Sequence, residues 1–448
     1  MTAEDKNYYK LLIIHAGLAV AMLAGGIASK IYAVSFLVYW TYVIVNSRNQ
    51  NNEALYAAGY IVGAEVLLRM TGGNLLYELG KYSVVFVLLI GTYYKGFSKN
   101  GSPYWIFLLL LIPGIIVATQ TLGHDVEMRK TIAFNISGPV CLGVSALYCY
   151  MRPITQKQIY ELLKYIGLPI LSITIYLIFK TPDLRESITS TGSNYATSGG
   201  FGPNQVSTIL GLGVFIFFSR IVFCSPGKIM LIVNLLITAN IAFRTLITFS
   251  RGGMITGIAM ICVMMAIVYM RLNSAGRWKL NFMTVCAVGM AIGIWLYSTD
   301  VTGGLIEKRY QNQDAAGRVK ESNFSGREEL AATEIEDFLE NPIFGIGVAR
   351  GAEMRILSGM GGLSHNEVTR MLAEHGAFGI LGLAILFITP LILYLDNRHH
   401  FLMFSFLIFW FMTINHAAMR LAAPAFIYGL AVLKIIPDAK ETNSLHRQ

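Results

Sequence analysis

Long apolar runs recur along almost the whole chain, near 11–27, 31–46, 54–70, 82–95, 104–118, 131–150, 160–179, 203–222, 229–248, 252–270, 280–297, 371–395, 400–415 and 421–436. Most hold about 16–22 residues, enough for a helix to cross a hydrocarbon core of roughly 30 Å. They are too long for barrel strands, and lipid offers no partner for an open backbone, so the spans are expected to be helices. Composition agrees: of 448 residues 54% are hydrophobic and 14% charged, with mean hydropathy +0.55. The expected fold is all-α, a polytopic membrane protein of about 12–14 transmembrane helices. Leu11 to Gly26 lacks a small-residue cleavage motif and is followed at once by another run, so it reads as a retained first helix.

The loops assign an orientation. With the N-terminus inside, the inside loops carry Lys6, Lys10, Arg48, Lys95, Lys99, Arg152, Lys157, Arg220, Lys228, Arg271, Arg277, Lys279, Arg398, Lys434, Lys440 and Arg447, satisfying the positive-inside bias. Both termini are then cytoplasmic. The chain divides into transmembrane helices 1–11 over 1–297, a large outward loop at 298–370, and the remaining spans with a tail at 371–448. The net charge of +9 is scattered over loops on both faces rather than gathered in one basic domain, so nucleic acid is not an expected partner. The five cysteines lie in spans or an inside loop and form neither a disulfide framework nor a CxxC metal site.

The outward insert breaks the apolar pattern and holds the chemistry-bearing residues. Ser325 followed by Glu328 is a capping-box pattern. Leu330, Ala331, Ile335, Phe338 and Leu339 then form one apolar stripe, expected to lie on the tops of the membrane helices while Arg327, Glu328, Glu329 and Glu336 meet water. Ser364 and Glu367 form a second capping box, which puts His365 at the first helical position of a span running through Val368, Leu372 and Phe378. There the positive end of the helix dipole disfavours imidazolium, leaving a neutral base beside donors able to hold an anion. Spacing alone leaves two readings open: a general base, or a well-capped helix start with a solvated histidine.

A second polar cluster lies in Arg244-Thr245-Leu246-Ile247-Thr248-Phe249-Ser250-Arg251-Gly252-Gly253. Its arginines are nearly two helical turns apart and share a side if the helix runs that far. Arginine at a bilayer rim is costly, and its planar donors match phosphate oxygens, so a diphosphate is the expected ligand. Snorkelling to lipid headgroups is the alternative. Arg420, four residues after His416, lies at the outer end between the last two spans, within reach of such a substrate. Gly123-His124-Asp125, in another outside loop, reads as solvent-facing.

Taken as a set, Thr248 to Gly253, Ser325-Gly326-Arg327, Asn341-Pro342-Ile343-Phe344-Gly345-Ile346-Gly347, Ser364-His365-Asn366-Glu367, Glu374-His375-Gly376 and Gly379 resemble the bacterial O-antigen ligase and O-antigen polymerase superfamily. Gly202-Pro203-Asn204-Gln205 extends the resemblance to about residues 200–390. It implies a GT-C-like membrane glycosyltransferase of the bacterial inner membrane with a periplasmic site. Such an enzyme moves a glycan from undecaprenyl pyrophosphate to a glycan or lipid A-core acceptor, with neither metal nor cofactor. It further implies His365 as catalytic base, Arg244 and Arg251 as pyrophosphate holders, Arg327 as a loop arginine, and Asn366, Glu374 and Asn204 as supporting residues. Polymerase-like members are the nearer likeness, but donor, leaving group and base are common to ligases. A lipid-linked-oligosaccharide flippase is the rival class; it finds no repeated half here and no need for the long insert.

Overall fold

The computed structural model describes residues 3–123, 126–320, 327–359 and 364–436. Ser325 and Gly326, and with them the expected first capping box, lie outside the described residues, as do His124, Asp125, Lys440 and Arg447.

The elements in chain order are α1 (Ala3–Ala21), α2 (Gly26–Ser47), α3 (Glu53–Thr71), α4 (Leu79–Lys95), α5 (Ser102–Leu110), α6 (Ile112–Thr121), α7 (Met128–Cys149), β1 (Pro153–Thr155), α8 (Gln156–Lys180), α9 (Leu184–Ser187) and α10 (Pro203–Phe223). They continue with α11 (Lys228–Ile247), α12 (Arg251–Arg271), α13 (Ser274–Val301), α14 (Leu305–Tyr310), α15 (Arg327–Glu340), α16 (Arg350–Leu357), α17 (Glu367–Asp396), α18 (Met403–Ile414), α19 (Ala422–Ala431) and β2 (Lys434–Ile436). Every apolar run read from the sequence contains helix, the last being helical over Ala422–Ala431 before it ends in β2. Among the described residues ten helices are long and apolar enough to cross a membrane, with α18 and α19 as shorter apolar helices. The protein is an all-α polytopic membrane protein. Large apolar side chains such as Val38, Ile229, Leu236, Val285 and Ile392 are exposed on its flanks, as a hydrocarbon solvent requires.

Successive connections fall alternately at opposite ends of the bundle. At one end Asn194 N donates to Thr248 O (2.9 Å), Arg309 Nε to Phe249 O (2.9 Å), Gly123 N to Glu353 Oε1 (2.8 Å) and Arg420 Nη2 to Ser364 O (2.9 Å). At the other, Arg152 Nη2 donates to Gly96 O (2.9 Å), Asn397 Nδ2 to Leu433 O (2.6 Å), and β1 pairs in parallel with β2. Glu4 and Lys157 (2.5 Å) join this second end. The ordered first and last segments thus lie away from the insert.

Two close approaches position the site. In α10 Ser207 and Gly211 face Gly253 and Gly257 of α12; a Cβ on Gly253 would come 1.9 Å from Ser207 O, and one on Gly211 2.0 Å from Gly253 O. Small residues four apart on both helices permit this backbone-to-backbone packing, which dispersion rewards when lipid supplies no hydrophobic drive. α17 is broken at Gly376 (φ 57°, ψ −134°), and the Asn341–Gly347 segment enters the gap. Ala377 N donates to Pro342 O (2.8 Å), Ile346 N to Ala373 O (2.8 Å) and Val348 N to Gly114 O (3.1 Å). A Cβ on Gly376 would meet Ile343 O at 2.6 Å, so both its left-handed backbone and its bareness are needed.

The insert does not pack as its apolar stripe implied. α15 buries Glu334 and Asp337, whereas Ile335 and Leu339 are exposed. The reason is pairing: Glu334 faces Arg355 (3.3 Å) and accepts from Thr369 Oγ1 (2.5 Å), so polar partners on α16 and α17 outweigh the hydrophobic period.

Candidate functional site

α15, the 364–366 turn, the start of α12 and the α18–α19 connection enclose a cavity of about 450 Å³ lined by Gly252, Ile255, Arg327, Glu328, Leu330, Ala331, Glu334, Ser364, His365, Asn366, Phe411, Met412, Asn415 and His416. Residues from four stretches of sequence therefore meet at the end of the bundle that carries the insert.

The turn bearing His365 is held from several sides. The N-cap of α17 is Asn366, whose Oδ1 accepts from Val368 N (2.9 Å) and Thr369 N (3.4 Å). This corrects the expected cap at Ser364: the helix begins at Glu367, and His365 lies before it rather than in its first turn. Ser364 Oγ instead accepts from Asn366 N (3.2 Å) and donates toward Glu334 Oε2 (3.2 Å). Ala418 N donates to His365 O (3.2 Å), clipping the turn to the α18–α19 connection.

His365 Nδ1 is buried and has no hydrogen-bond partner among the described residues. Burial, then the nearby charges of Arg420 and Arg327, push its pKa down to about 4, against an opposing contribution from the His416 backbone. The ring is neutral because it is desolvated among cations, a stronger reason than the helix dipole invoked from spacing.

Arg327 lines the cavity and is coupled electrostatically to cations beyond its lining. Arg309 and Arg327 are both held below the usual guanidinium value, first by burial and then by Arg251, with Arg327 also acting on Arg309. Lys320 is lowered by burial, then by Arg309, with Arg251 also acting. Glu328 opposes this at Arg327 and Asp314 at Lys320, but both groups stay lowered, and an anion would favour their charged forms. Arg420 borders a small adjoining space shared with Ser364 and Arg370.

Arg244 stands apart. The helix stops at Ile247, the Thr248–Ser250 turn reverses the chain, and α12 starts at Arg251, so the two arginines are on different helices. Phe249 takes a positive φ of 56° in that turn, an outlying conformation for a bulky residue. Arg244 is buried, donating to Thr181 Oγ1 (3.1 Å), and it does not line the cavity of His365.

The supporting positions brace the site. Asn204 Oδ1 accepts from Ser250 Oγ (2.8 Å), tying α10 to the turn before Arg251. Glu374 accepts from Ala349 N (2.9 Å) and Arg370 Nη1 (2.9 Å), fastening the insert to α17.

Sequence reasoning missed Glu334, Arg309 and Lys320 and gave His416 no part. Glu334 carried a signal, since it follows Arg327 by seven residues and shares its helix face. Burial raises the Glu334 carboxyl, although Thr369, Ser364 and Arg355 pull it back.

Residues 233–384 match a family model described as O-antigen ligase. No curated protein matches the chain. The match supports the resemblance to the O-antigen ligase and polymerase superfamily, and with it an O-antigen ligase or polymerase type of membrane glycosyltransferase at the level of the family. It spans Arg244, Arg251, Arg327, His365, Asn366 and Glu374 but not Asn204, His416 or Arg420.

Proposed function

We propose that this protein transfers a glycan from undecaprenyl pyrophosphate to a hydroxyl of an acceptor glycan, on the outward side of a bacterial inner membrane. The observation that carries the reading is one cavity lined both by a neutral imidazole, His365, whose Nδ1 has no hydrogen-bond partner among the described residues, and by Arg327, on which the charge of Arg251 acts. An intact-substrate carrier has no use for the first of these.

In the reaction the acceptor hydroxyl gives its proton to His365 Nδ1. Its oxygen bonds to the anomeric carbon as the bond from that carbon to the diphosphate oxygen breaks, and the diphosphate leaves from the opposite face with the electron pair, inverting the centre. Arg251, Arg309 and Arg327 stabilise the charge that builds on the departing group. Because they are preorganised in a partly dry site, they act more strongly on the transition state than on the ground state. An imidazole with a pKa of about 4 is a weak base. A bound diphosphate changes this, since its negative charge offsets Arg327 and Arg420 and raises the basicity of His365 when the donor is present. The leaving group is already stable as an anion, so the step needs no metal.

The lipid tail of the donor has a place beside these arginines. A groove of about 530 Å³ between α10, α11, α12 and α13 is lined by Phe218, Leu246, Met254, Met265, Trp295 and Tyr310, nearly all apolar. Tyr310 adjoins Arg309 in sequence and senses the charges of Arg251 and Arg309, which connects the groove to these arginines.

The test is purified protein with lipid-linked glycan as donor and acceptor. Release of undecaprenyl pyrophosphate with a lengthened or transferred glycan supports the reading; movement of intact donor across vesicles without release overturns it. Glycans from cells lacking the protein then separate the two acceptors. Chains that stop at one repeat mark a polymerase, and free polymer missing from lipid A marks a ligase.

A further inference from the structure

His416 lies in the same cavity as His365, yet the mechanism above does not use it. Its Nδ1 is 2.7 Å from Met412 O, and a carbonyl can only accept, so Nδ1 carries the ring proton. Burial is the first cause that lowers its pKa to about 4, so the ring is neutral and Nε2 holds a lone pair. The only hydrogen-bond contact of Nε2 among the described residues is Thr208 Oγ1 at 3.3 Å. That hydroxyl has one hydrogen, and it is directed to Asn204 O at 2.8 Å. Asn204 O, the nearer acceptor, competes for that hydrogen, so the Nε2 lone pair is weakly engaged and open to a better donor.

Gly252 keeps the space beside Nε2 open. A Cβ at this position would lie 2.7 Å from Nε2 and 2.5 Å from the ring Cδ2. The second glycine of the pair has a different task, the contact with Ser207 O, so the two are not interchangeable. The cavity then offers two imidazole acceptors, His365 Nδ1, with no partner among the described residues, and His416 Nε2, whose contact with Thr208 Oγ1 is long. Two acceptors and Arg327 in one lining suit a ligand with several hydroxyl donors next to an anion.

We propose that His416 Nε2 binds a hydroxyl of the acceptor sugar, a second hydroxyl beside the one that His365 deprotonates, and so helps select the acceptor. This rests on the glycosyl-transfer reading and adds to it a residue that binds acceptor without taking part in proton transfer.

The experiment compares wild type, His416→Ala, His416→Gln and Gly252→Ala in transfer between lipid-linked repeat units, with saturation-transfer NMR of the delipidated repeat oligosaccharide on each protein. A neutral hydrogen bond of about 1 kcal/mol corresponds to roughly five- to tenfold in affinity. The acceptor KM of His416→Ala is expected to rise by about that factor, with kcat and donor KM within about twofold. The amide of Gln restores most of the loss, and Gly252→Ala repeats it with the imidazole still present. One deoxy acceptor shows the same rise on wild type and no further rise on His416→Ala. An unchanged acceptor KM in a folded His416→Ala protein overturns the proposal, as does a rise equal for every deoxy acceptor. Should wild type release no polyprenyl diphosphate, the transfer reading fails instead, and the NMR comparison still decides whether His416 holds the sugar.

Discussion

Two groups of charges sit at the same end of this protein, and they are built in opposite ways. In the stem of α17, Arg370 is paired with Glu367 and, at 2.9 Å, with Glu374, while nearby Arg69 meets Glu65 (3.0 Å) and Glu78 (3.5 Å), and Lys81 meets Glu78 (2.7 Å). Across the cavity, burial and the charge of Arg251 lower Arg309 and Arg327, and burial, Arg309 and Arg251 lower Lys320, with Glu328 and Asp314 only partly opposing at Arg327 and Lys320. The first group neutralises itself, as buried charge must if it only supports a fold. In the second, like charges outweigh the carboxylates Glu328 and Asp314 acting on them, so an added anion would be favoured. Charge in a membrane protein is therefore informative by its company more than by its presence.

Mutations should separate the two groups by what they damage. The largest effect is expected at the cavity, where His365→Ala should lower kcat by roughly a hundredfold to ten-thousandfold with protein level and donor binding retained. Unchanged turnover would remove His365 from the chemistry. Next, Arg370→Met leaves Glu367 and Glu374 buried without their cation and should cost about 3–5 kcal/mol of stability, seen as a lower Tm or loss of folded protein. If that variant instead stayed folded and lost only activity, the contrast between the groups would break. Gly376→Ala forces a side chain into a left-handed conformation against Ile343 O and should cost about 1–3 kcal/mol by the same measurement.

Proton linkage provides the finest test. On the proposed mechanism His365 acts when neutral, so kcat/KM should stay flat from about pH 8 to 5.5 and fall only as pH drops through about 4. Arg327→Gln removes a charge that suppresses protonation and should move that acid limb to higher pH. Stability follows the same sign: between the unfolded value near 6.5 and about 4 the unfolded chain binds the proton and the folded one does not, so stability is complete above this window and declines through it as pH falls.

The membrane architecture was legible because apolar runs of helical length have one physical outcome in lipid. Even α3, mostly buried at the centre of the bundle, announced itself this way. The local caps were less legible. Ser364 and Asn366 both carry oxygen acceptors two residues apart, and only the contacts with Glu334 decided which one caps α17. The apolar stripe of α15 misled for a related reason, since Glu334 and Asp337 look like solvent residues until Arg355 is placed opposite. Of the site, the sequence brought His365, Arg327 and the segment at Gly252 into view, but His416 lay beyond the matched motifs and Arg309 resembled any other loop cation. Arg244 shows the converse, because a turn at Phe249 cancels a periodicity that assumed one continuous helix.

α13 buries only Leu280 and Ser298 along its 28 residues, although it forms one wall of the apolar groove. A wall so lightly attached gains little from its neighbours, and shifting it within the bilayer leaves most of its surface in the surroundings it already has. Entry from the side would therefore cost little. On the proposed function, a lipid-borne donor would come through this flank and the acceptor through the cavity beside His365, two separate routes.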